Sequence, residues 1–441
     1  MLPRSLAALH HLGKEIEKSR GAWEPSPDEG IVADALLSDP AWLPDFIGVD
    51  GYVGMAKRLR EAVPGRLIEF PYDWRLSNAY TAERLRDRVM PELEIWRKER
   101  GNSSAKLILV CHSMGGLVAR YFCEHLGGAA ETRRIFTFGT PHRGSLKALR
   151  ILVNGKRVGP FDVGRVARAL PSVWELLPQY PCVLDNGREV HLHDAGLAEL
   201  ADPRFGAARQ FQQRIRQPAE ARPSGTCPYQ QTVFFGKIQT TIQYARATDT
   251  RNGRRLTILD PGEDGSGDDG GDGTVPSFAS FPIELDVSSG GIPLLDKHAA
   301  MPAREAALEN LVNELNPMDI SKKKAVDSTA PDLEGHIGIL DMPPEARAGD
   351  AVPVRVVSSK REVVVQVVDY IRDTVTNTMT EQLFEDDPRG GIPSACDVGP
   401  LPPGTYTIVA KTPGRMVSDH LFVWDGSLPL TPADGELADL L

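Results

Sequence analysis

The 441-residue chain predicts an α/β fold, a parallel sheet with helices on both faces and a helical insertion, followed by an all-β sandwich. Three observations carry this. Apolar runs of strand length alternate with amphipathic stretches of helix length up to about residue 320. One such run, Lys106-Leu107-Ile108-Leu109-Val110, meets a sharp turn, Cys111-His112-Ser113-Met114-Gly115-Gly116, and then a helical stretch from Leu117. Beyond the Lys322-Lys323-Lys324 run, the texture changes to β-rich segments separated by Pro/Gly turns.

Residues 1 to about 65 read as helical and irregular, with Trp42 and Tyr52 as core anchors. Arg66 to Phe70 reads as a strand that ends at Pro71-Tyr72-Asp73-Trp74-Arg75. A long amphipathic helix is expected from about Thr81 to Arg100, and the strand before Ser113 comes next. A further helix leads to the strand Arg134-Ile135-Phe136-Thr137-Phe138, stopped by Gly139-Thr140-Pro141-His142-Arg143-Gly144-Ser145. From about 146 to 228 the alternation breaks down, which reads as a cap inserted between core strands. The core resumes at Gln231 to Gly236, passes an Asp/Gly-rich loop from Asp260 to Gly273, and closes with a helix from about Ala303 to Leu315. Valine-rich segments such as Val352 to Val357 and Val363 to Val368 then place an immunoglobulin-like sandwich at about 330–427, with 428–441 as a tail.

The formal net charge of −10, with no basic stripe, argues against a nucleic-acid partner. Five scattered cysteines suggest free thiols in a reducing compartment and form no zinc pattern. No apolar run of membrane-spanning length occurs, and Met1 to Lys18 lacks the apolar core of a signal peptide. A cytoplasmic location is the expectation. The Asp260–Gly271 stretch fits a calcium loop only in part, since its twelfth position is Gly271, so neither a metal nor any other cofactor is expected.

Ser113 stands where a strand–turn–helix exposes a hydroxyl, and the following N–H, that of Met114, can serve as an oxyanion donor. A serine hydroxyl needs a histidine to take its proton and a carboxylate to orient that histidine. In such folds the order is Ser, then acid, then His. Asp272, in a glycine-flanked loop, is the best downstream acid, and His298, before the last helix, is the best base. His112 is expected to point away from the site, and the setting of His142 reads as structural. Asp73 and Arg75 suit a buried pair at a strand end, with Tyr72 and Trp74 as candidates for substrate contact.

Together, Phe70 to Arg75, the His-Ser-Met-Gly-Gly turn, Phe138 to Ser145, Leu176-Leu177-Pro178 and Gly271 to Pro276 resemble the lecithin:cholesterol acyltransferase family. The likeness spans roughly residues 45–315. It implies an α/β-hydrolase over residues 1–320 that forms an acyl-enzyme on Ser113, with Asp272 and His298 completing a triad and lipid at a membrane surface as substrate. Family members also carry an earlier apolar strand whose loop supplies a second oxyanion N–H. No such strand is legible here, which leaves two expectations: a frame that starts upstream of Met1, or a weakened site.

Phospholipase-type cleavage is the leading expectation. The alternatives are hydrolysis of another ester and a binding scaffold without catalysis. The sandwich is expected to space the hydrolase or to recruit a protein partner.

Overall fold

The computed structural model describes residues 51–155 without a break, parts of the first fifty (14–16, 18–19, 23–29, 32–37, 41–43, 47–49), and most of 157–315 and 337–425. Within the last two spans it omits 159–160, 224, 252, 262–269, 286–289, 344, 359–361, 370–373, 383–391 and 413–414. The Lys322–Lys324 run, the tail and most of the Asp/Gly loop therefore lie outside the described residues.

In chain order come helices α1 (Val53–Ala62) and α2 (Asn78–Arg100), strand β1 (Leu107–His112), helix α3 (Gly115–His125) and strand β2 (Thr132–Phe138). Helices α4 (Leu146–Asn154), α5 (Val163–Ala169) and α6 (Pro171–Trp174), strands β3 (Val183–Asp185) and β4 (Arg188–Val190), and helix α7 (Pro203–Glu220) follow. Strands β5 (Gln230–Gly236), β6 (Ala245–Thr250), β7 (Gly253–Ile258) and β8 (Ile292–Leu294) precede helix α8 (Glu305–Leu315).

The main sheet has the order β8-β5-β2-β1, and every pair is parallel. Parallel neighbours need crossover connections, and the helices cover both faces. Side chains on β2 alternate accordingly. Ile135 enters a core with Leu85 and Val89 of α2, Leu117, Tyr121 and Phe122 of α3, and Phe211 of α7. Phe136 and Phe138 enter the opposite core with Phe234, Leu294, Met55 and Leu59 of α1, and Leu308 and Leu311 of α8. Helix α2 starts at Asn78, a turn earlier than expected, because Ser77 caps it by accepting from Tyr80 N. It ends at Gly101, whose φ of 58° suits glycine.

The strand expected at Arg66–Phe70 does not form. Extended backbone becomes a strand only when a neighbour takes its hydrogen bonds. Among the described residues β1 is the end strand of its sheet, so no described strand lies beyond it to be paired. Phe70 still packs against the core beneath α2 and α3, and Leu67 against the core of α1 and α8.

The insertion packs α4, α5 and α6 around Leu149, Leu152, Val166, Leu170, Val173 and Trp174. Strand β3 pairs in parallel with β6, giving a four-stranded sheet of order β7-β6-β3-β4. Ala245, Ala247 and Leu256 of that later hairpin are buried in the same core.

The C-terminal strands are β9 (Ile337–Asp341), β10 (Glu345–Arg347), β11 (Val352–Ser358), β12 (Glu362–Asp369), β13 (Thr374–Gln382), β14 (Ile392–Val398), β15 (Gly404–Thr412) and β16 (Arg415–Trp424). They form two sheets, β9-β11-β14 and β10-β16-β15-β12-β13, antiparallel except for β10 with β16. Val352, Val354, Val356 and Val398 of one sheet meet Val363, Val365, Val367, Ile408 and Leu421 of the other. This is the sandwich the period-2 pattern predicts. Strand β16 also leaves its own core, since Phe422 is buried with the insertion and Trp424 packs beside it.

Candidate active site

Ser113 sits between β1 and α3 with φ 51°, a left-handed conformation rare outside glycine. Such strain at a strand–turn–helix junction presents the side chain away from the sheet. The turn is held by Ser113 N donating to Phe138 O at 2.8 Å. Cys111 stands in place of the usual first glycine, and even a Cβ on Gly115 opposite would meet that of Cys111 at 3.9 Å, an ordinary contact. Burial pushes the Cys111 thiol up to about 12, so it remains neutral. The Met114 N–H donates to no group among the described residues.

Asp272, 1% exposed, lies in the tight loop after Gly271. Its Oδ1 accepts from Thr274 N at 2.8 Å and Val275 N at 2.6 Å, leaving Oδ2 for His298 Nδ1 at 2.7 Å. The His298 main-chain N–H donates to Asp272 O at 2.9 Å, so the two residues are joined through backbone as well as side chain. On its far side, His298 Nε2 lies 2.8 Å from Ser113 Oγ. The three residues read from chain order are thus brought into one hydrogen-bonded line. Two glycines make room for it. A Cβ on Gly139 (φ 55°) would lie 2.8 Å from Asp272 Oδ2 and 2.9 Å from His298 Nδ1, and one on Gly236 would meet Asp272 Cβ at 2.4 Å.

His112, expected to point the wrong way to serve Ser113, bridges the His298 backbone and Tyr52. Its Nε2 lies 2.9 Å from the carbonyl oxygen of His298, and its Nδ1 lies 3.0 Å from the Tyr52 hydroxyl. A carbonyl only accepts, so Nε2 carries the proton and Nδ1 accepts from Tyr52. Burial, with His298 nearby, drives the His112 pKa down to about 3, which keeps it a neutral bridge. No motif pointed to this bridge; its sole sequence signals are a histidine at the end of an apolar strand and an upstream tyrosine.

Tyr72 and Trp74 part company. The Tyr72 hydroxyl comes to the serine turn, 3.7 Å from where a Cβ on Gly115 would stand, and burial raises its pKa so that it is neutral. Trp74 instead packs against the insertion core. Asp73 and Arg75 form the expected buried pair, with Arg75 Nε 2.9 Å from Asp73 Oδ1. His142 sits in the core outside the hydrogen-bonded line of Asp272, His298 and Ser113. It is buried, accepts from Gln231 Nε2 at 3.1 Å, and burial beside Arg120 and Arg143 holds its pKa well below the ordinary value.

The neighbouring motif ties the insertion to the acid loop. Arg143 donates to Phe281 O at 2.9 Å, and Ser145 Oγ to Thr274 O at 2.5 Å. Glu175, 5% exposed, accepts from Asn78 N at 2.7 Å at the start of α2. Burial pushes its carboxyl up to about 8 despite those bonds.

No described helix is long and apolar enough to cross a membrane. No curated protein matches the chain. Among solved structures it is similar to a chain in the crystal structure of the Tle4–Tli4 complex, at 16% identity and TM-score 0.38, over 55% of this chain and 66% of that one. It is similar to Bacillus licheniformis lipase BlEst2 in its propeptide form, at 14% identity and TM-score 0.30, over 77% of this chain and 62% of that one. It is also similar to phospholipase PlaB from Legionella pneumophila, at 11% identity and TM-score 0.27, over 85% and 90% of the two chains. The chain therefore spans just under two thirds of the length of the first two. A family model described as lecithin:cholesterol acyltransferase matches residues 52–198, the stretch that holds Ser113. Over those residues the chain is similar to the lecithin:cholesterol acyltransferase family.

Proposed function

We propose that the chain is a serine lipid hydrolase that cleaves a glycerophospholipid ester at a membrane surface through an acyl-enzyme. The observation that carries this reading is the line from Asp272 Oδ2 through His298 to Ser113 Oγ, with contacts of 2.7 and 2.8 Å. The match to a lipid acyltransferase family model supports the substrate class. Residues 1–320 would form the hydrolase unit and 330–427 the sandwich unit.

His298 Nε2 takes the Ser113 proton as Oγ attacks the acyl carbonyl carbon, and Asp272 stabilises the imidazolium that results. The tetrahedral oxyanion accepts a hydrogen bond from the Met114 N–H, while Tyr72, at the serine turn, contacts the substrate. The ester C–O bond breaks as His298 returns the proton to the departing alkoxide, which leaves as lysophospholipid. Water, deprotonated by His298, then attacks the acyl-enzyme, and the acid is released with Ser113 restored. An alcohol in place of that water would make the reaction a transfer.

Fatty-acid release from phospholipid vesicles tests the reading, alongside triglyceride and short-chain ester substrates and a Ser113→Ala control. Release that requires Ser113 and favours phospholipid is expected. Ser113-dependent release from the other esters alone would replace the substrate. Folded protein that releases nothing and takes no fluorophosphonate label would refute serine catalysis.

A further inference from the structure

We propose that the C-terminal sandwich positions the catalytic base, through an ion pair between Lys297 and Asp419, and is not a mere spacer. This rests on the assignment of Ser113 and His298 made above. The segment from Leu295 to Ala300 carries His298 but belongs to no helix or strand, so its path depends on individual ties. Several come from the hydrolase itself. Gln239 Nε2 donates to Leu295 O at 2.7 Å, His112 Nε2 to His298 O at 2.9 Å, and Asp296 Oδ1 lies 2.6 Å from Arg304 Nε.

A further tie crosses 122 residues of sequence, from Lys297 Nζ to Asp419 Oδ2 on β16. Exposed ion pairs hold little, because both side chains remain mobile and solvated. This one differs in setting. Both side chains are about four-fifths buried, at 20% and 22% exposure. Asp419 Oδ1 also accepts from His420 N at 2.9 Å, so the carboxylate is oriented before the lysine meets it. Burial opposes its ionisation, but Lys297 and the His420 bond outweigh this and hold the carboxyl below its ordinary value.

The strand that offers Asp419 is itself anchored on two sides. Val417, Leu421 and Val423 are buried in the sandwich core, while Phe422 is buried among the insertion helices. Strand β16 therefore grips the insertion and the histidine loop at once. A base displaced by a fraction of an ångström from Ser113 Oγ loses rate steeply, so a tie on the adjacent residue acts on the chemistry through His298.

The full chain tests this with Lys297→Met, Asp419→Asn and the double variant, each assayed well below its unfolding temperature. Each single variant is expected to lower fluorophosphonate labelling of Ser113 and kcat by about tenfold, with KM unchanged. The double variant should fall no further than either single one. Native labelling rates in both single variants, whatever their thermal stability, would overturn the proposal. If the parent protein takes no label, the assignment of Ser113 fails instead. Hydrogen exchange over 295–300 then decides the latch: faster exchange in Asp419→Asn supports it, and unchanged exchange overturns it.

Discussion

Replacing Asp272 with asparagine isolates the work of one oxygen. Oδ1 is fixed by two backbone donors, Thr274 N at 2.8 Å and Val275 N at 2.6 Å. An amide nitrogen cannot accept those bonds, so the asparagine carbonyl oxygen takes that place. Its NH2 then falls where Oδ2 stood, 2.7 Å from His298 Nδ1. A donor at that point needs an acceptor, so Nδ1 gives up its proton and Nε2 carries it. His298 then donates toward Ser113 Oγ, 2.8 Å away, and can no longer take the serine proton.

The base stays in place in the wrong tautomer. In a serine protease the same exchange lowers kcat by about 10⁴-fold with geometry intact. That corresponds to about 5.4 kcal/mol of transition-state stabilisation, at 1.36 kcal/mol per decade. We expect a loss of that order here in phospholipid hydrolysis and in fluorophosphonate labelling. The unfolding temperature should barely move, because both loop bonds to Oδ1 survive. The decisive comparison is labelling rate per folded molecule in Asp272→Asn against the parent. An asparagine variant within about tenfold of the parent would refute the orienting role, since a wrong-tautomer base cannot be so efficient.

The Glu175→Gln variant should change the pH dependence of stability. The folded pKa of about 8 lies above the ordinary 4.5, so the stability tied to this carboxyl is complete below about 4.5 and is lost as pH rises through 8. The full loss is about 5 kcal/mol, so thermal unfolding of the variant should overtake the parent on the alkaline side; parallel curves from pH 5 to 9 would contradict this. Tyr52→Phe leaves the buried His112 Nδ1 without its donor and should lower stability by about 1–3 kcal/mol, read in denaturant unfolding, together with a slower Ser113 labelling rate. Gly139→Ala places a methyl within 2.9 Å of both Asp272 Oδ2 and His298 Nδ1 at a φ of 55°. Activity should fall by about 10²-fold while the main sheet persists by circular dichroism.

What the sequence made legible depended on how many segments each feature needs. β1 and β2 read clearly because strands of a helix-covered parallel sheet form near-continuous apolar runs, here Leu107–Val110 and Ile135–Phe138. β11 and β12 read clearly because a half-buried strand alternates, with Val352, Val354 and Val356 inward and Pro353 and Arg355 outward. Asp272 and His298 could be chosen because each stands in its own tight loop and the order serine, acid, histidine can be read along the chain.

The failures are relations between segments. Arg66–Phe70 has strand composition, but composition cannot supply the neighbour it would have to pair with. The β6–β7 hairpin carries Arg246, Asp249, Arg254 and Arg255 on its length, and its pairing with β3 lies some sixty residues away in sequence. The bridge through His112 was not legible because its partners, Tyr52 and the His298 carbonyl, lie 60 and 186 residues away in sequence. The Lys297–Asp419 contact shows the same limit in its strongest form, since neither residue stands in a motif. A strand–turn–helix serine is therefore easier to find from sequence than the contacts around it, because the turn is built by one segment and those contacts by several.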